Sequence, residues 1–540
     1  MRRLDPRPAT ATFEEEGESR MRVVSMLTMA RAAWLVLRYT VVVPLLQLAI
    51  YLCAAMSLML FAERLYMGLV VTVLWLNRRY RNRNQRNKGD DNNLESDDAD
   101  RPMVLVQIPM FNEKQVYRVS IGAACGLWWP ADKLVIQVLD DSTDAGIRSL
   151  VEAECRRWAG KGVHIRYENR SNRSGYKAGA LREGLKKQYV KECEFVAVLD
   201  ADFQPNGDFL RHTVPVLQAD PAVALVQARW RFVNADECIL TRMQEMSLDY
   251  HFSVEQEVGS ACHGFFSFNG TAGVWRVHAL ADAGGWKGRT TVEDMDLAVR
   301  ASMRGWRFVY AGDVQVRSQL PSSFKAYRYQ QHRWSCGPAN LMRKMFWEIV
   351  ANRQVSAWKK LHVLYAFFLV RKVVAHLVTF LLYCVVIPAY VLVGGQDVWL
   401  PQYVPMYVSA VLTLLNAACT PRSCHLLVFW IPFENVMSMH RSKATIIGLL
   451  EASRANEWVV TEKLGGSTTS TPAAATTTMA KKKKKKKSSS SFLAPEIVMG
   501  LFLLYCTLYD MVFGHDHLYA YLLMHSAAAF VIGFGYVGSQ

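Results

Sequence analysis

Three short clusters of carboxylates stand in fixed order along this chain: Asp140-Asp141-Ser142-Thr143-Asp144, Asp200-Ala201-Asp202 and Val292-Glu293-Asp294. A fourth polar cluster, Gln330-Gln331-His332-Arg333-Trp334, adds an amide, a cation and an indole. The spacing Asp200-x-Asp202 suits a hard cation, Mg²⁺ or Mn²⁺, held by oxygen ligands against a diphosphate. Asp294, with Glu293 beside it, is a candidate general base for a hydroxyl that is otherwise a poor nucleophile. An indole such as Trp334 offers a flat face to a pyranose ring, Gln330 a hydrogen-bonding amide, and Arg333 a fork for phosphate. The chemistry these residues would do together is transfer of a sugar from a nucleotide diphosphate to an acceptor hydroxyl.

Each cluster also has a plainer reading. Asp200-Ala201-Asp202 and the Asp140 cluster could be surface turns, and Glu293, Asp294 and Asp296 could be first-turn carboxylates favoured by a helix dipole. A helix start is also a good place to present a base, so those two readings are compatible. Trp334 taken alone reads as a membrane-interface anchor.

Elements that could position these residues are visible from the change of period at Met103. Met103–Pro109, Leu134–Leu139, Phe195–Leu199 and Val223–Val226 are short apolar runs rich in strand formers. Gly146–Trp158 and Ala178–Tyr189 have helical spacing between them. Alternation of this kind predicts an α/β fold with a mostly parallel, Rossmann-like sheet covered on both faces. Asp140 and Asp200 each follow a strand, where such sheets bind ligands.

The chain has 540 residues, 51% of them apolar and 20% charged, which suits one soluble domain flanked by membrane helices. Its net charge of +16 is concentrated at Arg78–Lys88 and in the run Lys481–Lys487. Neither island sits on a recognisable nucleic-acid fold, so no nucleic-acid partner is expected. Basic islands beside apolar segments mark the cytosolic face of a lipid bilayer. Eleven scattered cysteines form no CxxC pair and argue against a disulfide framework.

Residues 1–38 read as a polar tail and 39–76 as a first span, Tyr39–Ala62, with an interfacial extension. A charged linker, 77–101, precedes the catalytic unit, 102–345. Residues 346–432 read as an interfacial helix and spans two and three (Val373–Gln396 and Val398–Pro421), 433–464 as an amphipathic segment on the membrane surface, and 465–491 as a disordered polybasic linker. Residues 492–540 hold the last two spans. Uncharged runs of 24 residues at the first three spans are long enough to cross a ~30 Å hydrocarbon core. Five spans would put the basic islands and the catalytic unit on the cytosolic side, with product leaving through the helices. The sequons at Asn169, Asn172 and Asn269 lie inside that unit, where a lumenal glycan would obstruct the site.

The four motifs together resemble those of the processive family 2 glycosyltransferases. Val106–Glu113, Gly175–Leu181, Val226–Trp230, Gln330–Leu341 and Arg454–Leu464 are similar to the plant cellulose synthase-like A family, the β-mannan and glucomannan synthases. That resemblance implies a GT-A glycosyltransferase domain inserted between transmembrane helices in the Golgi membrane. It implies an inverting transfer from GDP-mannose, and from GDP-glucose, to a growing β-1,4-mannan chain, with a second copy of the chain or an accessory Golgi protein as candidate partner. Carried over, Asp140 or Asp141 would contact the nucleotide, Lys177 the diphosphate, and Asp200 and Asp202 the diphosphate and its metal. Asp294 would be the base, and Gln330, Arg333 and Trp334 would line the acceptor site. Phe265, Phe266, Asn269 and Gly270 resemble the acceptor-side loop. The rival readings are a β-1,4-glucan synthase using UDP-glucose and a silent sugar-binding membrane subunit, which would have no need of three carboxylate sites.

Overall fold

The structure is a computed structural model that describes residues 9–86, 101–170, 172–394, 397–401, 409–451, 492–514 and 517–538. The expected disorder of 465–491, the acidic part of the linker and the Arg454–Leu464 stretch lie outside the described residues.

An eight-stranded sheet forms the centre of the catalytic unit: β1 Val104–Met110, β2 Leu134–Asp140, β3 Ile165–Asn169, β4 Phe195–Val198, β5 Gln204–Pro205, β6 Val223–Phe232, β7 Gly273–Arg276 and β8 Arg307–Ser318. Their order is β3-β2-β1-β4-β7-β6-β8-β5. β1, β2, β3 and β4 pair in parallel, as do β6 and β8, whereas β7 runs antiparallel to both neighbours. Val104, Val106 and Ile108 pack on one face and Leu105 on the other, so both faces of β1 are buried, as a helix-covered parallel sheet requires. Gln107 and Gln137, directly paired in the register, hydrogen-bond side chain to side chain at 2.8 Å and close the polar gap this leaves in the core.

The membrane part differs from the sequence reading in three places. Residues 9–37, read as part of a polar tail, are helical and run through a π turn (Arg38–Val42) into helix Val43–Arg86, so the apolar extension and the first basic residues belong to one long helix. Leu65–Leu76 shares its hydrophobicity with the segment before it, and nothing in the sequence breaks the helix between them. Among the described residues three helices are long and apolar enough to cross a membrane, within Met21–Arg79, Ala357–Val393 and Ala494–Phe513, with a shorter apolar helix at Tyr519–Gly533. In the third expected span the described helix is only Ser409–Ala417. The segment expected on the membrane surface instead begins inside helix Leu427–Leu450, which packs against helix Phe324–Ala351, Ala375–Phe380 and Tyr519–Gly533. Trp347 and Trp358, 74% and 70% exposed, flank the entry to the second long helix, as interfacial indoles do.

Candidate functional site

The three aspartates of the first cluster have three different jobs. β2 delivers Asp140 into the fold, where it is fully buried and accepts from the Ser142 amide (2.9 Å) and the Tyr167 hydroxyl (2.9 Å). It does not line the cavity. Asp141, the next residue, does line it, and accepts from Arg170 Nε at 2.7 Å. Asp144 caps helix Ala145–Ala159 by accepting from the Gly146 and Ile147 amides. Of the two aspartates expected on the nucleotide, Asp140 is thus turned inward as a fixed support and Asp141 faces the site.

At the end of β4, Asp200 meets Lys177 at 2.5 Å, and the Lys177 ammonium also donates to the Gly270 carbonyl at 2.7 Å. Gly175, with φ of 72°, turns the chain into helix Tyr176–Leu185, and a Cβ on Gly179 would lie 2.0 Å from the Ser174 carbonyl oxygen, so this turn requires glycine. Burial works against the Lys177 charge, but Asp200, Glu293 and Asp294 outweigh it and raise its pKa. Asp202 lies on the same cavity wall, with Ser318 Oγ 3.4 Å from Oδ2.

Helix Glu293–Met303 begins at a second, adjoining part of the cavity lining, where Gly270 lies between Asp294 and Lys177. Asp296 points away and is locked by Arg289 and Arg300 (2.6 and 3.0 Å), whereas Glu293 and Asp294 face the cavity. Asp294 Oδ1 accepts from the Met295 amide at 2.7 Å. Burial raises the pKa of both acids. Glu293 rises to about 8 through burial and the neighbouring Asp294, with Lys177 and Arg333 pulling the other way. Gly270, at φ of 80°, presses against this pair: a Cβ there would stand 2.7 Å from Asp294 Oδ2.

Helix Phe324–Ala351 brings Gln330, Arg333 and Trp334 to the same cavity, which holds about 210 Å³. Gly337, one turn on, lets that helix close on the acidic turn, since a Cβ would meet Val292 Cγ1 at 2.5 Å. Of the singled-out site residues, all but Asp140, Phe265 and Phe266 line one cavity, Asn269 and Gly270 among them. Phe265 and Phe266 are core residues instead, buried against Phe308.

The cavity also contains residues not singled out from the sequence. Phe111 and Glu113 follow β1, and the Arg173 guanidinium lies over the Phe111 ring. Trp230 packs edge-on to Phe203, with centroids 5.1 Å apart. Arg173 sits in a polar turn without strand or helix period, and its only sequence signal was a sequon; Trp230 was visible only through the resemblance.

Asp200 and Asp202 provide hard carboxylate oxygens on one wall. Among the described residues no group of three or more His, Cys, Asp or Glu is placed to hold a metal. Two carboxylates fit an ion whose other ligands come from a diphosphate and water rather than from a dedicated protein cage.

The chain matches the model of glycosyl transferase family 2 over residues 105–271 and that of glycosyl transferase family group 2 over 195–404. It is 58% identical over 503 residues to glucomannan 4-beta-mannosyltransferase 9 of Arabidopsis thaliana, covering 93% of each chain. It is 57% identical to glucomannan 4-beta-mannosyltransferase 1 of Cyamopsis tetragonoloba, over 94% of this chain and 95% of that one. Among solved structures, the mannosyltransferase PcManGT from Pyrobaculum calidifontis, in complex with GDP-Man and Mn²⁺, overlays 74% of this chain at 20% identity and a TM-score of 0.47, a likeness of outline alone. With relatives this similar over nearly its full length, the chain belongs to the glucomannan 4-beta-mannosyltransferases, the cellulose synthase-like A family within glycosyltransferase family 2.

Proposed function

We propose that the protein builds a β-1,4-mannan or glucomannan backbone by transferring mannose from GDP-α-mannose, and glucose from GDP-glucose, to the 4-hydroxyl of the growing chain. The observation that carries this reading is the meeting of two unlike groups in one cavity: Lys177 with Asp200 and Asp202, and Glu293 with Asp294, with Trp334 lining the same space. The relatives' activity supports the choice of sugar.

In this reading Arg173, Phe111 and Asp141 seat the nucleotide, and Lys177 contacts the diphosphate. Asp200 and Asp202 would hold a Mg²⁺ or Mn²⁺, which would supply positive charge to the departing GDP. Asp294 takes the proton of the acceptor hydroxyl as it attacks the anomeric carbon from the face opposite the leaving group, so an α-linked donor yields a β-linked product. Gln330 and Trp334 hold the acceptor sugar, and Arg333 reaches toward the phosphates. Three long apolar helices around the domain make this a membrane protein, and we place it in the Golgi, where a cytosol-facing site would draw on cytosolic nucleotide sugars.

Purified protein in lipid, given GDP-mannose, GDP-glucose and UDP-glucose separately, tests the proposal. A mannanase-sensitive product from GDP-mannose is expected. A β-1,4-glucan made from UDP-glucose alone would replace this reading with the rival one.

A further inference from the structure

A chain of partly buried polar contacts leads away from the cavity to the first membrane helix. Asn269, beside Gly270, has its Oδ1 2.9 Å from Gln256 Nε2 and 3.2 Å from His251 Nε2. The other ring nitrogen of His251 stands 2.8 Å from Glu255 Oε2, and Glu255 Oε1 accepts from Arg64 at 2.9 Å. Arg64 belongs to the long N-terminal helix, its guanidinium over the Tyr250 ring at 4.5 Å. Its neighbour Glu63 pairs with Arg371 of the second long helix.

Local backbone geometry makes this chain reachable. Helix Ile239–Tyr250 passes into π turns at His251–Gln256 and Gly259–His263. A π turn is wider than an α turn, which brings His251, Glu255 and Gln256 to one side; such turns recur where a helix serves a site. The Glu255 carboxyl is largely buried and still held well below the usual range, because its hydrogen bond to His251 and the charge of Arg64 outweigh burial.

We propose that Arg64, Glu255 and His251 are positioning residues that hold loop 265–270 from the first membrane helix, so that the site keeps its reactive arrangement only while that helix is docked. The loop is tied to the reacting groups at two points. Its Gly270 carbonyl accepts from Lys177, and its Gly270 backbone fits against Asp294 with no room for a Cβ. A small displacement of the loop therefore moves the diphosphate-side cation and the base together. Ionisable residues on a membrane helix are costly, and docking alone would be served by apolar contacts such as those Met67 makes with Tyr250 and Val254. The polar chain adds direction that apolar packing lacks.

The inference rests on the transfer reaction proposed above. Its test is a double-mutant cycle on the full-length protein in lipid, with Arg64→Met, His251→Gln and the pair, and with isosteric Glu255→Gln replacing Arg64→Met if that variant does not fold. Each single change is expected to lower kcat roughly tenfold and to weaken GDP affinity by a smaller factor, since the loop contacts Lys177 as well as the base, and the pair to be no worse than the weaker single, because all three act through one chain. Backbone amide exchange at residues 265–270 should quicken in each variant. Unchanged kcat, losses that multiply to roughly a hundredfold, or unaltered exchange in the loop would each overturn it. The exchange readout needs no turnover, so failure of the unaltered protein to transfer mannose sinks the proposed reaction and still leaves this inference decided.

Discussion

The two walls of the cavity are charged in the same sense and built in opposite ways. On the wall we propose for the nucleotide the carboxylates stand at contact distance from cations, Asp141 with Arg170 and Asp200 with Lys177, at the ends of strands fixed by the sheet. On the wall we propose for the acceptor Glu293 and Asp294 stand together at a helix start, and burial raises both pKa values despite the nearby Lys177 and Arg333. In the proposed reaction the first arrangement would exchange a lysine contact for a metal and a diphosphate. The second makes charge expensive, which is what a group that must accept a proton requires.

The sharpest test of this division is the base itself. Asp294→Asn preserves shape and removes the proton acceptor, so mannose incorporation should fall about 10²–10⁴-fold with GDP binding retained. Near-normal synthesis by a folded variant would move the base elsewhere. On the other wall the loss should appear in binding as well as in rate. Asp202→Ala is expected to weaken donor affinity, measured by titration with GDP-mannose, and EDTA to stop synthesis until Mg²⁺ or Mn²⁺ is restored. Full activity in chelator, with Asp202→Ala indifferent, would assign the charge compensation to Lys177 and Arg333 alone.

The nucleotide wall was also the more legible one. β1, β2 and β4 fall within one residue of the expected runs, because each is a mostly apolar stretch buried on both faces, with Gln107 and Gln137 the polar residues inside β1 and β2. β7 has only four residues, Gly273–Arg276, and β8 alternates polar and apolar residues through Asp313 and Arg317, so neither stands out as a run. The acceptor wall is assembled from loop 265–270 and two helix segments far apart in the chain, and what joins them is close packing at Gly270 and Gly337, which no periodicity reports. Asp140 and Asp141 cannot be told apart in sequence; only the register of β2 decides which faces Tyr167 and which the cavity. In the membrane part, apolar runs show where chain is buried but not whether neighbouring runs form one helix, which is why 39–62 and 65–76 read as separate pieces.

A smaller effect is expected where the walls touch. Gly270→Ala puts a Cβ 2.7 Å from Asp294 Oδ2 at a φ of 80°, which costs an L-residue about 1–2 kcal/mol. The loop should yield, shifting the Gly270 carbonyl off Lys177, and kcat should drop roughly tenfold with a modest loss of thermal stability. Wild-type kcat with the same stability loss would show that the loop's position is not critical to transfer.

The smallest effect separates the two acids of the second wall. The base works ionised, so activity should rise with pH through its pKa, and because burial lifts Asp294 above its ordinary value of 3.8, that acidic limb should lie nearer neutrality than for an exposed aspartate. Glu293 is lifted to about 8 by burial and then by Asp294, which favours its protonated form, and a glutamine is the neutral mimic of that form. Glu293→Gln should therefore move the limb by less than about half a pH unit. Stability gives the complementary sign. A carboxyl whose folded pKa is raised binds more protons folded than unfolded between its ordinary value of 4.5 and about 8, so wild-type stability falls as pH rises through that window. Glu293→Gln removes this loss, and its stability relative to wild type should grow from pH 5 to pH 8, read from thermal midpoints at each pH. If the variant instead displaces the acidic limb by more than about one unit, Glu293 is ionised within that limb and its charge sets the titration of Asp294, which overturns the neutral Glu293.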